Sequence, residues 1–433
     1  MEAFPLIEKE IEPWMNKEYI TKYHCRSCDS DKLENILSLG NHKVVDFSEG
    51  NKPTPEVPLT LTLCNDCNLL QLRHTTRSDL MWGTEYGYRS GINETMTKEL
   101  GDIAHKAEDI VNLTANDIVI DIGCNDGTLL KGYDVAPTVV GFDPSYNVWK
   151  HARDHFVDNF GSEKYLMVNN YFTKEPYLRK YPENSAKVIT AIAMFYDLDE
   201  PNEFLQDVKK CLHPEGVFVI QQNYLKGMLD QLAFDNICHE HMEYYSLHSL
   251  EWLLEKNGLE VFDVSENNIN GGSFRTYIRH IGSELNGKGE SHAVSNMRKN
   301  EQESGLTDKE TYLKFAEKVK HNGDRLKEYV DLENKKGKKI YAYGASTRGG
   351  TLLQFCGIDS KDIMGVADRN PDKWGKVMKT TGIPIVSEEE ARKKADIFIV
   401  LPWFFKKEFL TREQDFMDKG GKLVFPLPEM EIY

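Results

Sequence analysis

The middle of the chain alternates short apolar runs with amphipathic stretches. Ile118, Val119 and Ile120 are β-branched, as in a strand buried on both faces, and the run ends on Asp121 before a turn from Gly123 to Gly127. A helix is expected from Thr128. Thr138, Val139 and Val140 form a second run closed by Gly141-Phe142-Asp143, and a helix is expected over 146–160. Residues 165–168 run into Asn169-Asn170-Tyr171-Phe172, residues 186–194 (AKVITAIAM) lead to a helix over 202–212, and 216–221 form a fifth run. Further helices are expected over 95–111 and from a Ser246 cap to 257. Strand and helix in regular alternation predict an α/β fold with a doubly wound parallel sheet, its ligand crevice beyond the carboxyl ends of the strands. The pattern returns at 338–350, KKIYAYGASTRGG, followed by strand tips at Val366-Ala-Asp368 and 395–401. Before it lie a polar stretch with Gly and Ser, 282–305, which reads as a linker, and a charged helix over 307–334.

The turn after the first strand carries chemistry. Glycines lack a Cβ and take positive φ, so a ligand can approach the backbone closely. A nicotinamide site usually reads G-x-G-x-x-G, to cradle a pyrophosphate. Here the turn reads Asp121-Ile-Gly123-Cys-Asn125-Asp-Gly127. Its acidic start suits a cationic ligand bearing an amino group and a sulfonium. Asp143, at the second strand tip, is placed to accept hydrogen bonds from ribose hydroxyls, and Asn170 to read an adenine amino group. Through Asp121, Gly123, Gly127 and Asp143 the chain resembles the class I S-adenosylmethionine (SAM)-dependent methyltransferases. The alternative is a Rossmann-like strand, turn and helix without ligand.

Composition narrows the classes. With 53 Lys and Arg against 69 Asp and Glu, the formal charge is -16, which disfavours nucleic acid and anionic membranes as partners. No run approaches eighteen apolar residues, and the first fifteen residues lack a cationic leader, so a cytoplasmic location is expected. Of eight cysteines, four form two pairs, Cys25-x-x-Cys28 and Cys64-x-x-Cys67, with 35 residues between them. Two such turns complete a closed tetrahedral Zn²⁺ site, with no open position for substrate, so the metal is expected to be structural. The intervening segment, 37–58, reads as a loop-dominated lobe held together by the metal.

Two segments lack core periodicity. Residues 82–91, WGTEYGYRSG, suit a loop lying over a flat ligand, or a linker with aromatic plugs. Residues 234–246 hold Cys238-His239-Glu240-His241 beside Tyr244 and Tyr245. Such a cluster is open to three readings: a general base, a metal site or a solvated loop. A glutamate can hold an imidazole in one tautomer, which makes proton transfer the sharpest of them.

The paired CxxC lobe, EYGYRSG, DIGCNDGTLL, CHEHMEYYSL, Asn270-Gly-Gly-Ser-Phe-Arg275 and the late Leu401-Pro-Trp403 together resemble the nucleotide-sugar C-methyltransferases, over nearly the whole chain and in the same order. The resemblance implies a zinc-binding domain, a central SAM domain and a C-terminal Rossmann-like domain, and methylation of a deoxysugar carbon beside a ketone. It implies His241 as base, Glu240 and His239 along the sugar, and Tyr86 and Tyr88 over SAM. Cys238 stands where the family commonly has tyrosine, and Asp197 near where it has histidine. These departures open the acceptor to sugars other than the usual amino-keto sugar.

The expectation is therefore a SAM-dependent C-methyltransferase acting on a nucleoside-diphosphate-linked keto sugar, a monomer or homodimer. Its domains are 1–80, zinc-binding; 81–285, methyltransferase; and 286–433, linker, helix and acceptor-binding domain. Catalytic candidates are His241, Glu240, His239 and Tyr86. Cofactor candidates are Tyr88, Asp121, Gly123, Asn125, Gly127, Asp143, Asn170 and Met194. Acceptor candidates are Asn223, Tyr224, Cys238, Asn270, Arg275, Gly344 and Arg348, with Arg348 at a helix N-terminus reading as a diphosphate site. The metal ligands are Cys25, Cys28, Cys64 and Cys67. The alternatives are methyl transfer to oxygen, nitrogen or another carbon acid, an NAD-dependent sugar oxidoreductase, and a binding scaffold with a dead methyltransferase domain.

Overall fold

The computed structural model describes residues 18–44, 54–81, 89–267, 269–285, 287 and 289–433. Its central sheet has seven strands: β1 (Ile118–Ile122), β2 (Thr138–Phe142), β3 (Tyr165–Val168), β4 (Ala186–Ile192), β5 (Leu212–Asn223), β6 (Leu259–Asn267) and β7 (Ser273–His280). They lie in the order β3-β2-β1-β4-β5-β7-β6. Strands β1 to β5 are parallel, and β7 runs antiparallel to both β5 and β6. This is the class I methyltransferase sheet. Chain direction across the sheet reverses between β1 and β4, which opens a crevice at their carboxyl ends.

The helix expected from Thr128 is absent. A 3-10 turn, Leu130–Gly132, takes its place, because Gly132 and Pro137 leave too little chain before β2 begins. Leu129 and Leu130 still reach the core, packing with Ile103, Ala104 and Ala107 of the helix Glu94–Val111. The stretch 282–305 is not a linker either. Ser291 caps a helix, His292–Glu303, that buries Val294, Met297 and Glu301.

The zinc lobe is also more ordered than its composition suggests. Strands Leu33–Lys43, Glu56–Cys64 and Leu70–Leu72 form an antiparallel sheet, and its fourth strand, Glu243–Tyr244, comes from the segment after the His-Glu-His cluster. Leu37, Leu59 and Leu61 share one core with Tyr312, Phe315 and Leu352 of the C-terminal part. The lobe is thus tied to both of the other units.

The C-terminal sheet centres on Ile340–Tyr343, flanked in parallel by Val366–Asp368 and Ile397–Val400. It repeats a detail of the central sheet. Asp143 accepts the N–H groups of Asn125 and Ser145 at 2.9 and 2.8 Å, and Asp368 accepts those of Ala345 and Asn370 at 2.9 and 2.8 Å. In both, a carboxylate at the second strand tip fastens the glycine turn after the first. Among the described residues no helix is long and apolar enough to cross a membrane.

Candidate active site

The crevice beyond β1 and β4 holds a cavity of about 340 Å³, lined among others by Asp121, Gly123, Asn125, Asp143, Asn170 and Met194. Its floor is the glycine turn. Gly123 has φ +75°, and a Cβ there would come within 3.2 Å of the Met194 side chain. Gly127 has φ +76°, and its Cβ would meet Ala152 Cβ at 3.0 Å, so both positions need glycine. The turn is pinned from above, because Asn125 Oδ1 accepts the Ser90 N–H and Asp126 Oδ2 the Gly91 N–H. Tyr86 and Tyr88, expected over the cofactor, lie outside the described residues.

Two carboxylates set the electrostatics. Asp121 is 3% exposed, and its Oδ1 accepts the Thr190 hydroxyl at 2.6 Å. Burial pushes its carboxyl up to about 7; the Thr190 hydroxyl opposes that shift and the Asp143 charge adds to it. Burial also raises Asp143, against the pull of the Ser145 and Asn125 amides. Each Asp143 oxygen uses one lone pair on those amides, which leaves acceptor capacity for hydroxyls. A cavity with open glycine backbone and two raised carboxylates fits an adenosyl ligand bearing an ammonium and a sulfonium.

The four paired cysteines fit zinc equally well. One ligand atom from each of Cys25, Cys28, Cys64 and Cys67 lies within 4.8 Å of the others, with Sγ–Sγ distances of 3.5 Å (Cys25 to Cys67) and 3.4 Å (Cys28 to Cys64). A tetrahedron with Zn–S bonds of about 2.3 Å has edges of about 3.8 Å.

The His-Glu-His residues diverge in the fold. His239 is buried, and its Nε2 is 3.0 Å from the Val57 carbonyl of the zinc lobe, so it fastens that lobe to the loop and does not line the cavity. His241 is partly buried, with Nδ1 2.9 Å from the Asn236 carbonyl and its ring edge-on to Tyr196 at 4.5 Å. A carbonyl only accepts, so Nδ1 carries the hydrogen and Nε2 keeps its lone pair. Burial lowers His241 to about 4, the Asn236 carbonyl opposes this, and the Arg348 charge adds to it. The imidazole is therefore neutral near pH 7. Tyr196 lines the 340 Å³ cavity and also a space of about 10 Å³ beside His241 that Asn223, Tyr224 and Glu243 share. Burial pushes Glu240 up to about 7, with Cys238 pulling the other way. Asp197, in the cavity wall, is raised by burial and by the Glu240 and Glu243 charges.

Several expected acceptor residues are committed elsewhere. The Tyr224 hydroxyl donates to Glu301, which also accepts the N–H groups of Leu247 and His248. Arg275 donates to Gln221 and Glu99. Arg348 forms a two-point ion pair with Asp235, Nε–Oδ2 2.9 Å and Nη2–Oδ1 3.1 Å, so it is an interdomain clasp and not an open diphosphate site. Gly344 (φ +87°) is glycine for packing, since a Cβ would meet Pro402 at 2.9 Å. Asn223 Nδ2 is 3.4 Å from Asn236 Oδ1, Cys238 is buried, and the Asn270 side chain lies outside the described residues. Thr190, Tyr196, Asp235 and Asn236 were not anticipated. Thr190 had a signal, being the one hydroxyl in the apolar run of β4; the other three had none.

Three family models match the chain in order: "Putative zinc binding domain" over 25–82, "Methyltransferase domain" over 92–264 and "C-methyltransferase C-terminal domain" over 268–428. The chain is 28% identical to the C-methyltransferase NovU of Streptomyces niveus over 414 residues, 94% of this chain and 96% of that one. It is also similar to solved structures. One is a SAM dependent methyltransferase from Aquifex aeolicus, at 20% identity over 42% of this chain and 97% of that chain, TM-score 0.31. Another is a S-adenosylmethionine-dependent methyltransferase from Clostridium acetobutylicum, at 13% identity over 42% of this chain and 92% of that chain, TM-score 0.34.

Proposed function

We propose that the chain, which matches zinc-binding, methyltransferase and C-methyltransferase C-terminal domain models in order, is a SAM-dependent C-methyltransferase whose acceptor is a keto sugar carried on a nucleoside diphosphate. The observation that carries this reading is His241, neutral and held with its Nε2 lone pair free, one ring away from the cofactor cavity. That is the state a carbon-acid reaction needs in its base.

SAM, when bound, supplies an electrophilic methyl group to an acceptor carbanion. Asp143 would accept the ribose hydroxyls and Asp121 would hold the ammonium. Gly123 and Gly127 keep the backbone open, while Asn125, Asn170 and Met194 complete the wall. His241 Nε2 takes the proton from the carbon beside the ketone. Glu240, raised by burial to about 7, is the candidate donor to the developing enolate oxygen. The space beside His241 is smaller than a sugar ring, so acceptor binding opens the wall formed by Tyr196.

The test is a screen of nucleoside diphosphate keto sugars with SAM, read by mass for the gain of one methylene, with His241→Asn as control. The variant is expected to bind SAM as the wild type does and to transfer almost nothing. Full turnover in it would move the base to another group.

A further inference from the structure

The clasp between Arg348 and Asp235 lies one residue from the carbonyl that holds His241. Asp235 is 1% exposed and accepts three hydrogen bonds from the C-terminal domain: two from Arg348, at 2.9 and 3.1 Å, and one from Trp403 Nε1 at 3.0 Å. The Arg348 guanidinium also sits 4.7 Å from the Phe404 ring centre. Asp235 belongs to the 3-10 turn Phe234–Asn236, packed through Phe234 on Phe355 of the helix Thr347–Phe355. The next residue, Asn236, turns its carbonyl to His241 Nδ1 at 2.9 Å and takes the Tyr244 hydroxyl at 3.4 Å. The C-terminal domain is therefore linked to the candidate base by one side chain and one peptide.

We infer that Asp235 is a positioning residue, through which the C-terminal domain fixes the tautomer and aim of His241. The inference rests on the reading of His241 as base. A buried carboxylate with three donors is costly to move, and it holds the turn at a defined height above the imidazole. With that carbonyl in place the hydrogen stays on Nδ1. Displacing the turn lets the hydrogen pass to Nε2, which abolishes the lone pair a base needs. Misplacement by about 1 Å costs on the order of 10²-fold in rate. Asp235 also balances charge. The Arg348 cation lowers His241, and Asp235 is the anion paired with that cation. The other polar groups facing the imidazole are Tyr196, Tyr244 and, along the small space, Asn223, Tyr224 and Glu243.

These two effects predict shifts of opposite sign. In Arg348→Gln the Asp235 anion is uncompensated and the titration midpoint of His241 rises. In Asp235→Asn the Arg348 cation is uncompensated and the midpoint does not rise, while the hydrogen spreads over both ring nitrogens. A merely loosened turn would move both midpoints up, toward the ordinary imidazole value.

The experiment is a ¹⁵N NMR titration of the full zinc-loaded chain with S-adenosylhomocysteine bound, histidines ¹⁵N-labelled and His241 assigned by its loss in His241→Gln. Wild type is expected to show a pure Nδ1–H tautomer, Asp235→Asn a mixture, and the two variants the midpoint pattern above. Trp403→Phe, which removes one donor, gives a smaller tautomer change and carries the test if Asp235→Asn does not fold. A pure Nδ1–H signal in Asp235→Asn, or midpoints rising in both variants, overturns the inference. Full methyl transfer by His241→Asn would instead remove the base reading and leave the tautomer result standing.

Discussion

Asp121 gives the sharpest quantitative handle on the cofactor site. Its carboxyl is displaced from 3.8 to about 7, which corresponds to about 4 kcal/mol against the charged form. No cation appears among the causes of that shift. A ligand ammonium placed beside it therefore meets a carboxylate whose charge the empty site disfavours, and binding must remove the proton first. The sign follows. Above pH 7 the carboxylate is already charged and affinity is flat; below pH 7 the proton competes, and the Kd of S-adenosylhomocysteine rises about tenfold per pH unit, or about 30-fold at pH 5.5. 5′-Methylthioadenosine keeps the adenosine contacts but has no ammonium, so its Kd should stay flat. Asp121→Asn should flatten the S-adenosylhomocysteine profile and weaken binding at pH 8 by about 1.5–3 kcal/mol, the worth of a charge-assisted hydrogen bond. Isothermal titration calorimetry of both ligands from pH 5.5 to 8.5 measures all of this. A pH-independent Kd for S-adenosylhomocysteine, or an Asp121→Asn variant that binds as tightly as wild type, would refute the reasoning.

Other perturbations reach the remaining parts of the account. Cys64→Ser opens the thiolate tetrahedron and should abolish stoichiometric zinc, read by elemental analysis. Because Glu243–Tyr244 pairs with that lobe, methyl transfer should fall much further than S-adenosylhomocysteine affinity. Gly127→Ala places a Cβ 3.0 Å from Ala152 Cβ at φ +76°, and should destabilise by about 1–3 kcal/mol, visible as a lower thermal midpoint. Thr190→Val removes the hydroxyl that opposes the rise of Asp121, so the onset of the pH-dependent loss of S-adenosylhomocysteine affinity should move to higher pH.

The strands of the central sheet were legible because a strand buried on both faces writes itself as a continuous β-branched run, and the glycines because positive φ with close packing disfavours a Cβ. Gly123, Gly127, Asp121 and Asp143 were findable for these reasons; Gly123, Asp121 and Asp143 meet at one cavity, and Gly127 packs the turn beneath it on Ala152. The helix after β1 was not legible as missing, because its apolar residues are kept while Gly132 and Pro137 cut its length. The His-Glu-His cluster shows a sharper limit. His239 and His241 are two positions apart with the same chemistry, yet one faces the Val57 carbonyl and the other Tyr196. That divergence is set by a zinc-lobe strand more than 180 positions away. Arg348 read as an anion site for the same reason: its partner, Asp235, is 113 positions earlier, on another domain, and no local pattern encodes a pairing across domains. Arg275 and Tyr224 likewise found carboxylates far off in sequence: the half-buried Glu99, 176 positions earlier, and the buried Glu301, 77 positions later.

Under the proposed mechanism the protein breaks a C–H bond before it makes a C–CH₃ bond. The most direct measurement is hydrogen exchange at a nucleoside diphosphate keto sugar in D₂O with S-adenosylhomocysteine in place of SAM, followed by mass spectrometry and NMR. Deuterium is expected at a single carbon beside the ketone in wild type and at none in His241→Asn. An acceptor that is methylated with SAM yet takes up no deuterium at any carbon would contradict it.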